Sequence, residues 1–396
     1  MDQNGGVFSL KGVVQNYSWG GFEFISSLLG IPGGLGAEYW MGAHPNFPSV
    51  VGEKEIPLNQ LIEADKDQYL GTAKDFGALP FLLKILDVRQ MLSIQVHPDK
   101  ASAIRGFEEE ELKGIPVNAP HRNYKDRNHK PELMVALGDF YLLHGFKEKT
   151  ALRKTLQTIP EFEWLLPLFG EGDYRKLYET VMQLPQEKVN ENLQPLIQRI
   201  VPAYENRELI KSSADFWAAR AFRDFCKSGQ YDRGIYSIYF FNLLHLQKGE
   251  GIYQQAGLPH AYLEGQNVEV MANSDNVLRA GLTDKHIDIK ELMKHVRFEE
   301  TIPAIIHPQG AHTVYYSPAK EFELHHYEIE KGSREFRSDS PEILFNLEGD
   351  TEISQGNQKM QLHPGSALYI LPGIFYQLAT RAGSSIYRVV VPAVEN

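Results

Sequence analysis

The chain has 396 residues, with 40 Lys+Arg against 51 Asp+Glu, a formal charge of −11. At about 150 residues per domain this is room for two or three domains with buried cores, and 42% hydrophobic with 23% charged residues is globular, not disordered, composition. The acidic balance excludes nucleic acid as an expected partner, since phosphate backbones are bound by basic faces, and no run nears the ~18–20 apolar residues of a membrane span.

In chain order, Met1-Asp-Gln-Asn-Gly5 has neither the basic region nor the apolar core of a secretory leader. Up to about residue 148 the pattern is short strands and Gly/Pro turns with a helix or two. Pro32-Gly-Gly-Leu-Gly36 is such a turn, and Leu92–His97 is a strand ending at Pro98. On that strand Ser93, Gln95 and His97 share one face while Ile94 and Val96 take the other. This is half-exposed sheet, or a binding row if the polar face looks inward. Next comes Tyr124-Lys-Asp-Arg-Asn-His129-Lys130-Pro131-Glu132, dense in groups that ligate metals or move protons. Pro131 keeps Lys130 out of helical geometry. A charged run is ordinarily a surface loop, but Leu133-Met-Val-Ala-Leu137 reads as a buried strand and places Glu132 at its mouth.

From 149 to 231 apolar residues recur at helical spacing: Tyr174, Leu177, Tyr178, Val181 and Met182, then Val189, Leu193, Leu196, Ile197 and Ile200. Pro160, Pro167, Pro185 and Pro202 are expected to divide this stretch into modest helices. The lone cysteine, Cys226, excludes an internal disulfide and a Cys-rich zinc site. After Gly234 strand character returns, beginning with Ile235–Phe241. A helical stretch between two strand-rich ones predicts an interrupted β unit whose first and last parts pair.

A third segment, His260 to Lys285, carries Glu269, Asp275, Arg279 and Lys285. Arg279 and Lys285 suit a phosphate dianion, the first through its planar fork and the second as a point charge. There is also an internal echo. Gly249–His260 aligns with Gly365–Tyr376 at a constant offset of 116 residues, keeping both glycines and the central tyrosine. Turn glycines bracketing a short apolar strand resemble the repeat of cupin barrels. Where the first copy has His260 the second has Tyr376, so the second unit is expected to be structural.

Taken together, the segments offer His97, His260, Glu132 and the amide oxygen of Gln95. Two imidazoles, a carboxylate and a neutral oxygen make a zinc shell, and the 2-His-1-carboxylate subset equally suits non-heme iron. The residues by themselves describe a metal-binding protein acting on an anionic small molecule.

The intact Tyr-x-Asp-x-Asn-His-Lys-Pro-Glu element at 124–132, the 260–285 segment, Gln-x-His-Pro at 95–98 and Tyr17-Ser-Trp19-Gly20 resemble the type I phosphomannose isomerase family over most of the chain. The resemblance implies a mainly β fold of two cupin-type (jelly-roll) barrels with an inserted α-helical domain. It divides the chain into 1–148 plus 232–300 (catalytic barrel), 149–231 (helical insertion) and 301–396 (degenerate C-terminal barrel). It implies one Zn²⁺ per chain on Gln95, His97, Glu132 and His260, Arg279 as the active-site arginine, and substrate contacts from Trp19, Lys84, Ser93 and Lys285. His129, Lys130, Glu269 and Asp275 become the acid–base candidates: His129 for ring opening, and Glu269 or Asp275 with Lys130 for isomerisation. The implied activity is interconversion of mannose 6-phosphate and fructose 6-phosphate through a cis-enediol, in a cytoplasmic monomer whose partner is a small sugar phosphate. Asp284 stands where the family usually has proline, just before Lys285, and leaves the stiffness of that loop open. Two other readings remain. A cupin oxygenase would use iron and leave Arg279 and Lys285 without an anion, and a non-catalytic sugar-phosphate binder would be expected to have lost ligands.

Overall fold

The structure, a computed structural model, describes residues 5–227 and 229–393; the Met1–Asn4 stretch inspected above for a leader lies outside them. Among the described residues no helix is long and apolar enough to cross a membrane. The fold is mainly antiparallel sheet with helices set between the strand-rich parts.

One sheet is organised by the long strand His260–Ala272. Its second half lies between Phe81–Val88 and Glu132–Ala136, while its start pairs with Phe140–Phe146 and, at His260, with Gln95–Val96. Partners change at a register shift between Tyr262 and Glu264. There Gly265 has φ 131° and a Cβ would meet the Asp139 carbonyl oxygen at 2.6 Å, so only glycine permits the bend. The early and late strand-rich stretches therefore do pair with each other. Phe81–Val88 is buried along its whole length. Phe81, Leu83 and Ile85 join a core shared with Leu324, Ile343 and Tyr387, while Leu86 and Val88 pack with Met134, Phe140, Ile252 and Tyr262. Lys84 is the only charged residue of the strand before Asp87 and alternates onto the face of Leu82 and Leu86.

A second, eight-stranded sheet runs through Glu342–Glu348, Ala367–Ile370 and Ser384–Val390. The strand Val7–Lys11 pairs with Ala367–Ile370 and then with Val50–Val51. The opening strand is thus hydrogen-bonded into the sheet that carries the C-terminal strands, together with Val50–Val51. Its pairing covers an edge that the 367–370 strand would otherwise leave open.

Between the sheets run Lys149–Thr158, Tyr174–Gln183, Gln186–Glu205 and Ala214–Phe225, with all ten periodic residues named above buried. Two expectations are corrected. Pro202 does not end a helix; it and Pro195 lie inside Gln186–Glu205. Both are solvent-facing, and the buried apolar stripe carries the helix past the lost hydrogen bonds. Ile235–Phe240 is not strand but helix, Gly234–Phe240, with strand starting only at Phe241. All seven residues are buried, so no polar face marks the 3.6-residue period, and β-branched and aromatic residues mimic a buried strand. Asp232 Oδ1 starts the helix by accepting from Gly234 N at 2.7 Å.

The internal echo is structural. Gly251–Gln254 and Ala367–Ile370 are both strands, 116 residues apart, and Gly249, Gly257, Gly365 and Gly373 all have φ between 80° and 86°. Glu132 pairs in register with Gln254, and Glu342 with Ile370, the same two positions of the repeat.

Candidate active site

Glu132 opens its strand, His260 opens the long strand and His97 follows Gln95–Val96. Although 128 residues separate Glu132 from His260, the three side chains place one ligand atom each within 4.8 Å of one another, all buried. His97 Nε2 is 3.4 Å from Glu132 Oε1, and His260 Nε2 is 3.1 Å from Oε2. The other nitrogens are taken by backbone carbonyls: His97 Nδ1 pairs with Asn276 O at 2.8 Å and His260 Nδ1 with Leu258 O at 2.9 Å. A carbonyl can only accept, so each Nδ1 carries the proton and each Nε2 turns a lone pair inward, the second-shell arrangement of metal-ligating histidines. Nε2 of His97 is buried with no hydrogen-bond partner. Burial pushes His97 down to about 4 against the pull of Glu132. Burial pushes the Glu132 carboxyl up, but the charge of Lys130 leads the opposing pull and holds it well below the usual range. Neutral imidazoles beside an ionised carboxylate are the protonation states a divalent metal requires, so these residues fit one.

The register extends the row. Arg279 pairs with Gln95, Gln95 with His260, and His260 with His144, which sets four side chains side by side on one sheet face. Gln95 therefore stands beside the three-residue cluster. Lys130 Nζ is 3.1 Å from Glu132 Oε1.

Lys84, expected to contact substrate, is buried against carboxylates. Its Nζ lies 3.2 Å from Glu38 Oε2 and 3.6 Å from Glu269 Oε1, and 4.6 Å above the Trp40 ring. Trp40 Nε1 donates to Glu38 at 2.5 Å, and the Tyr262 hydroxyl donates to Glu269 Oε2 at 2.7 Å. Burial, and then the charge of Glu132, raises the Glu269 carboxyl above its ordinary value. Trp19 stacks on Tyr17 at 5.8 Å. The Tyr17 hydroxyl is pushed up to about 12 by burial and then by the charge of Glu38.

Cations gather on the other side. Arg279 has no ion-pair partner among the described residues, and desolvation lowers its pKa. Burial, then the Arg279 charge, lowers Lys285; burial likewise leads for Lys125, which also feels Arg279. Ser93 precedes Ile94, whose backbone pairs with Ala280 and Gly281. The loop to Lys285 is not loose despite Asp284. Half-buried Asp232 accepts from Leu282 N at 2.9 Å and Thr283 N at 3.2 Å, and Thr283 Oγ1 accepts from Lys285 N at 3.1 Å.

A cavity of about 980 Å³ has His44, Lys100, Lys125, His129, Asp275 and Glu321 in its wall; the buried His97–Glu132–His260 cluster does not itself line it. Asp275 oxygens lie 3.2 and 3.3 Å from His44 Nε2, and His129 Nε2 lies 2.6 Å from Glu321 Oε1. Asn276 staples the two motif loops: its amide donates to the carbonyls of Asp126 and Asn128 at 2.8 Å, and its Oδ1 accepts from Lys125 N at 2.6 Å. Glu38, His44 and Glu321 escape sequence reading because each stands outside any spacing that chemistry dictates. Lys125 and Asn276 lie within the two motif segments, and that position was their only signal.

Residues 7–149 match the family described as phosphomannose isomerase type I, catalytic domain. Over 374 residues the chain is 37% identical to the mannose-6-phosphate isomerase of Escherichia coli (strain K12), covering 90% of this chain and 93% of that protein. It is 31% identical over 407 residues to the mannose-6-phosphate isomerase of Bos taurus, covering 92% and 93%. Among solved structures, the apo mannose 6-phosphate isomerase from Salmonella typhimurium superposes with a TM-score of 0.86 at 32% identity. A zinc-bound mannose 6-phosphate isomerase gives 0.84 at 31%, each covering 98% of this chain and 100% of the other. With this identity across nearly its whole length, the chain belongs to the type I phosphomannose isomerase family.

Proposed function

We propose that the protein is a zinc-dependent aldose–ketose isomerase interconverting mannose 6-phosphate and fructose 6-phosphate. The observation that carries this is the His97–Glu132–His260 cluster, with both Nδ1 atoms tied to carbonyls and both Nε2 atoms turned on one carboxylate, next to an arginine without an ion-pair partner among the described residues. Those three residues, with Gln95 beside them, would hold the ion. Zinc bound there supplies a Lewis acid that polarises a carbonyl and a template that orients neighbouring oxygens.

Arg279, with Lys285 and Lys125, binds the phosphate, far from the reacting carbons; this binding energy positions the sugar. Ser93 and Trp19 border the substrate, and Lys84 contacts its oxygens from between Glu38 and Glu269. Glu269, fixed by the Tyr262 hydroxyl, takes the C2 proton of the aldose. The released pair forms the C1–C2 double bond of the cis-enediol while the O1 carbonyl gains a proton from Lys130. Glu269 returns its proton to C1 while the O2 hydroxyl passes its proton to Lys130 and O2 forms the carbonyl with C2, which completes the ketose and restores both groups. A raised carboxyl pKa suits a group that both takes and returns a proton. Asp275, oriented by His44, closes the wall, and His129 serves ring opening.

The architecture we infer is two cupin-type barrels, the catalytic one containing the site and the C-terminal one degenerate, with residues 149–231 as the helical insertion. The N-terminal strand is grouped with the C-terminal barrel. The test is formation of fructose 6-phosphate from mannose 6-phosphate by zinc-loaded, chelated and zinc-restored protein. Activity lost on chelation and regained with zinc is expected; unchanged turnover in metal-free protein contradicts the reading.

A further inference from the structure

His129 is held from the far end of the chain. Glu321, 192 positions later, puts Oε1 2.6 Å from His129 Nε2, and both residues stand in the wall of the same cavity, with His129 three positions before the cluster's Glu132. Glu321 sits just before the strand Glu323–Ile329. Its neighbours Ala319 and Phe322 are buried in the core shared with Phe81 and Leu133, which anchors the carboxylate. Oε2 is buried without a partner, so the group is committed to the imidazole by one oxygen. Lys100, also in the wall, is occupied by Asn128 Oδ1 at 2.6 Å.

A carboxylate can only accept, so Nε2 carries the proton and Nδ1 is left as the free base. We propose that Glu321, contributed by the C-terminal segment, is a positioning residue that fixes the His129 tautomer for opening the sugar ring. This rests on the isomerase reading and its use of His129. In that step Nδ1 takes the proton of the anomeric O1 hydroxyl, and O1 forms the carbonyl with C1. The C1–O5 bond breaks with its electron pair passing to O5, and Nδ1 returns the proton to O5, with no net proton change. Glu321 stabilises the imidazolium between the two transfers, as a carboxylate behind a histidine does in acyl-transfer triads. The C-terminal unit then contributes to the reaction as well as to stability.

The experiment measures α/β anomer exchange of mannose 6-phosphate on the zinc-loaded enzyme by NMR magnetisation transfer, alongside isomerisation, zinc content and KM. In Glu321→Gln the amide can donate to Nε2 and favour the wrong tautomer. The expected result is exchange slower by about 10–100-fold, with zinc content and KM retained. A His129→Gln variant should show a comparable loss, and the double variant should be no slower than His129→Gln alone. Wild-type exchange in Glu321→Gln, or losses that multiply in the double variant, overturns the proposal. A wild-type protein that forms no fructose 6-phosphate contradicts the isomerase reading instead.

Discussion

At the scale of single residues, the site joins an ionised carboxylate and neutral imidazoles to an arginine that no carboxylate among the described residues pairs with. The arginine gives the most direct residue-level expectation. Hydrogen bonds to charged groups contribute about 1.5–3 kcal/mol, so Arg279→Ala should lose about 10–100-fold or more in kcat/KM, with the zinc content of the wild type. Steady-state kinetics with metal analysis checks this, and wild-type kinetics would show that the guanidinium meets no substrate phosphate. A second expectation concerns acid stability away from the site. His326 bonds Ser385 Oγ at 2.7 Å and stacks on Tyr387 at 4.4 Å, and burial lowers its pKa to about 4. Unfolded, it titrates near 6.5, so between the two values the unfolded chain binds the extra proton. Stability present above about 6.5 is therefore lost as pH falls towards 4, by about 2 kcal/mol at pH 5. Denaturant titrations at pH 7 and 5 should show this loss shrinking in His326→Phe; an unchanged pH dependence would assign it to other groups.

Much of this chemistry is legible in the sequence. Ser93, Gln95 and His97 alternate with Ile94 and Val96, and the latter two do face the helical core. Glu132 precedes a buried strand, as its apolar continuation implies. What stays hidden are groups supplied by tertiary approach: Glu38 reaches Lys84, and Glu321 reaches His129, across distances that no spacing rule connects.

At the scale of elements, the repeat glycines separate two physical costs. Gly365 and Gly373 have nearly the same φ, 86° and 81°, yet a Cβ at 365 would meet the Leu28 carbonyl oxygen at 2.1 Å and one at 373 would meet nothing within 4 Å. Gly373→Ala should cost only the left-handed strain, about 1–2 kcal/mol, and Gly365→Ala clearly more. Chemical denaturation of both variants decides it, and equal losses would mean that the Phe24–Leu29 helix yields to the added methyl. The glycine pattern was readable because positive φ leaves a compositional mark. The Gly234–Phe240 helix was not, since a helix buried on every side has no polar face to mark its period.

At the scale of the whole molecule, the two sheet systems repeat one plan with different chemistry at equivalent positions. Where Glu132 faces two imidazoles, Glu342 accepts from Arg388 Nε at 2.8 Å and from the Tyr376 hydroxyl at 2.9 Å. A guanidinium and a phenol thus neutralise the second carboxylate and tie its strands together. The Val7–Lys11 strand and Glu321 join the two systems, and no local pattern announces such long-range pairings. The most direct test of the central claim is zinc per chain, measured with isomerase activity on the same preparations of wild type, Glu132→Ala, His260→Ala and Tyr376→Phe. The account predicts one zinc and full activity in wild type and Tyr376→Phe, with zinc and turnover lost together in the other two. Stoichiometric zinc persisting in Glu132→Ala or His260→Ala, or departing with Tyr376→Phe, would contradict it.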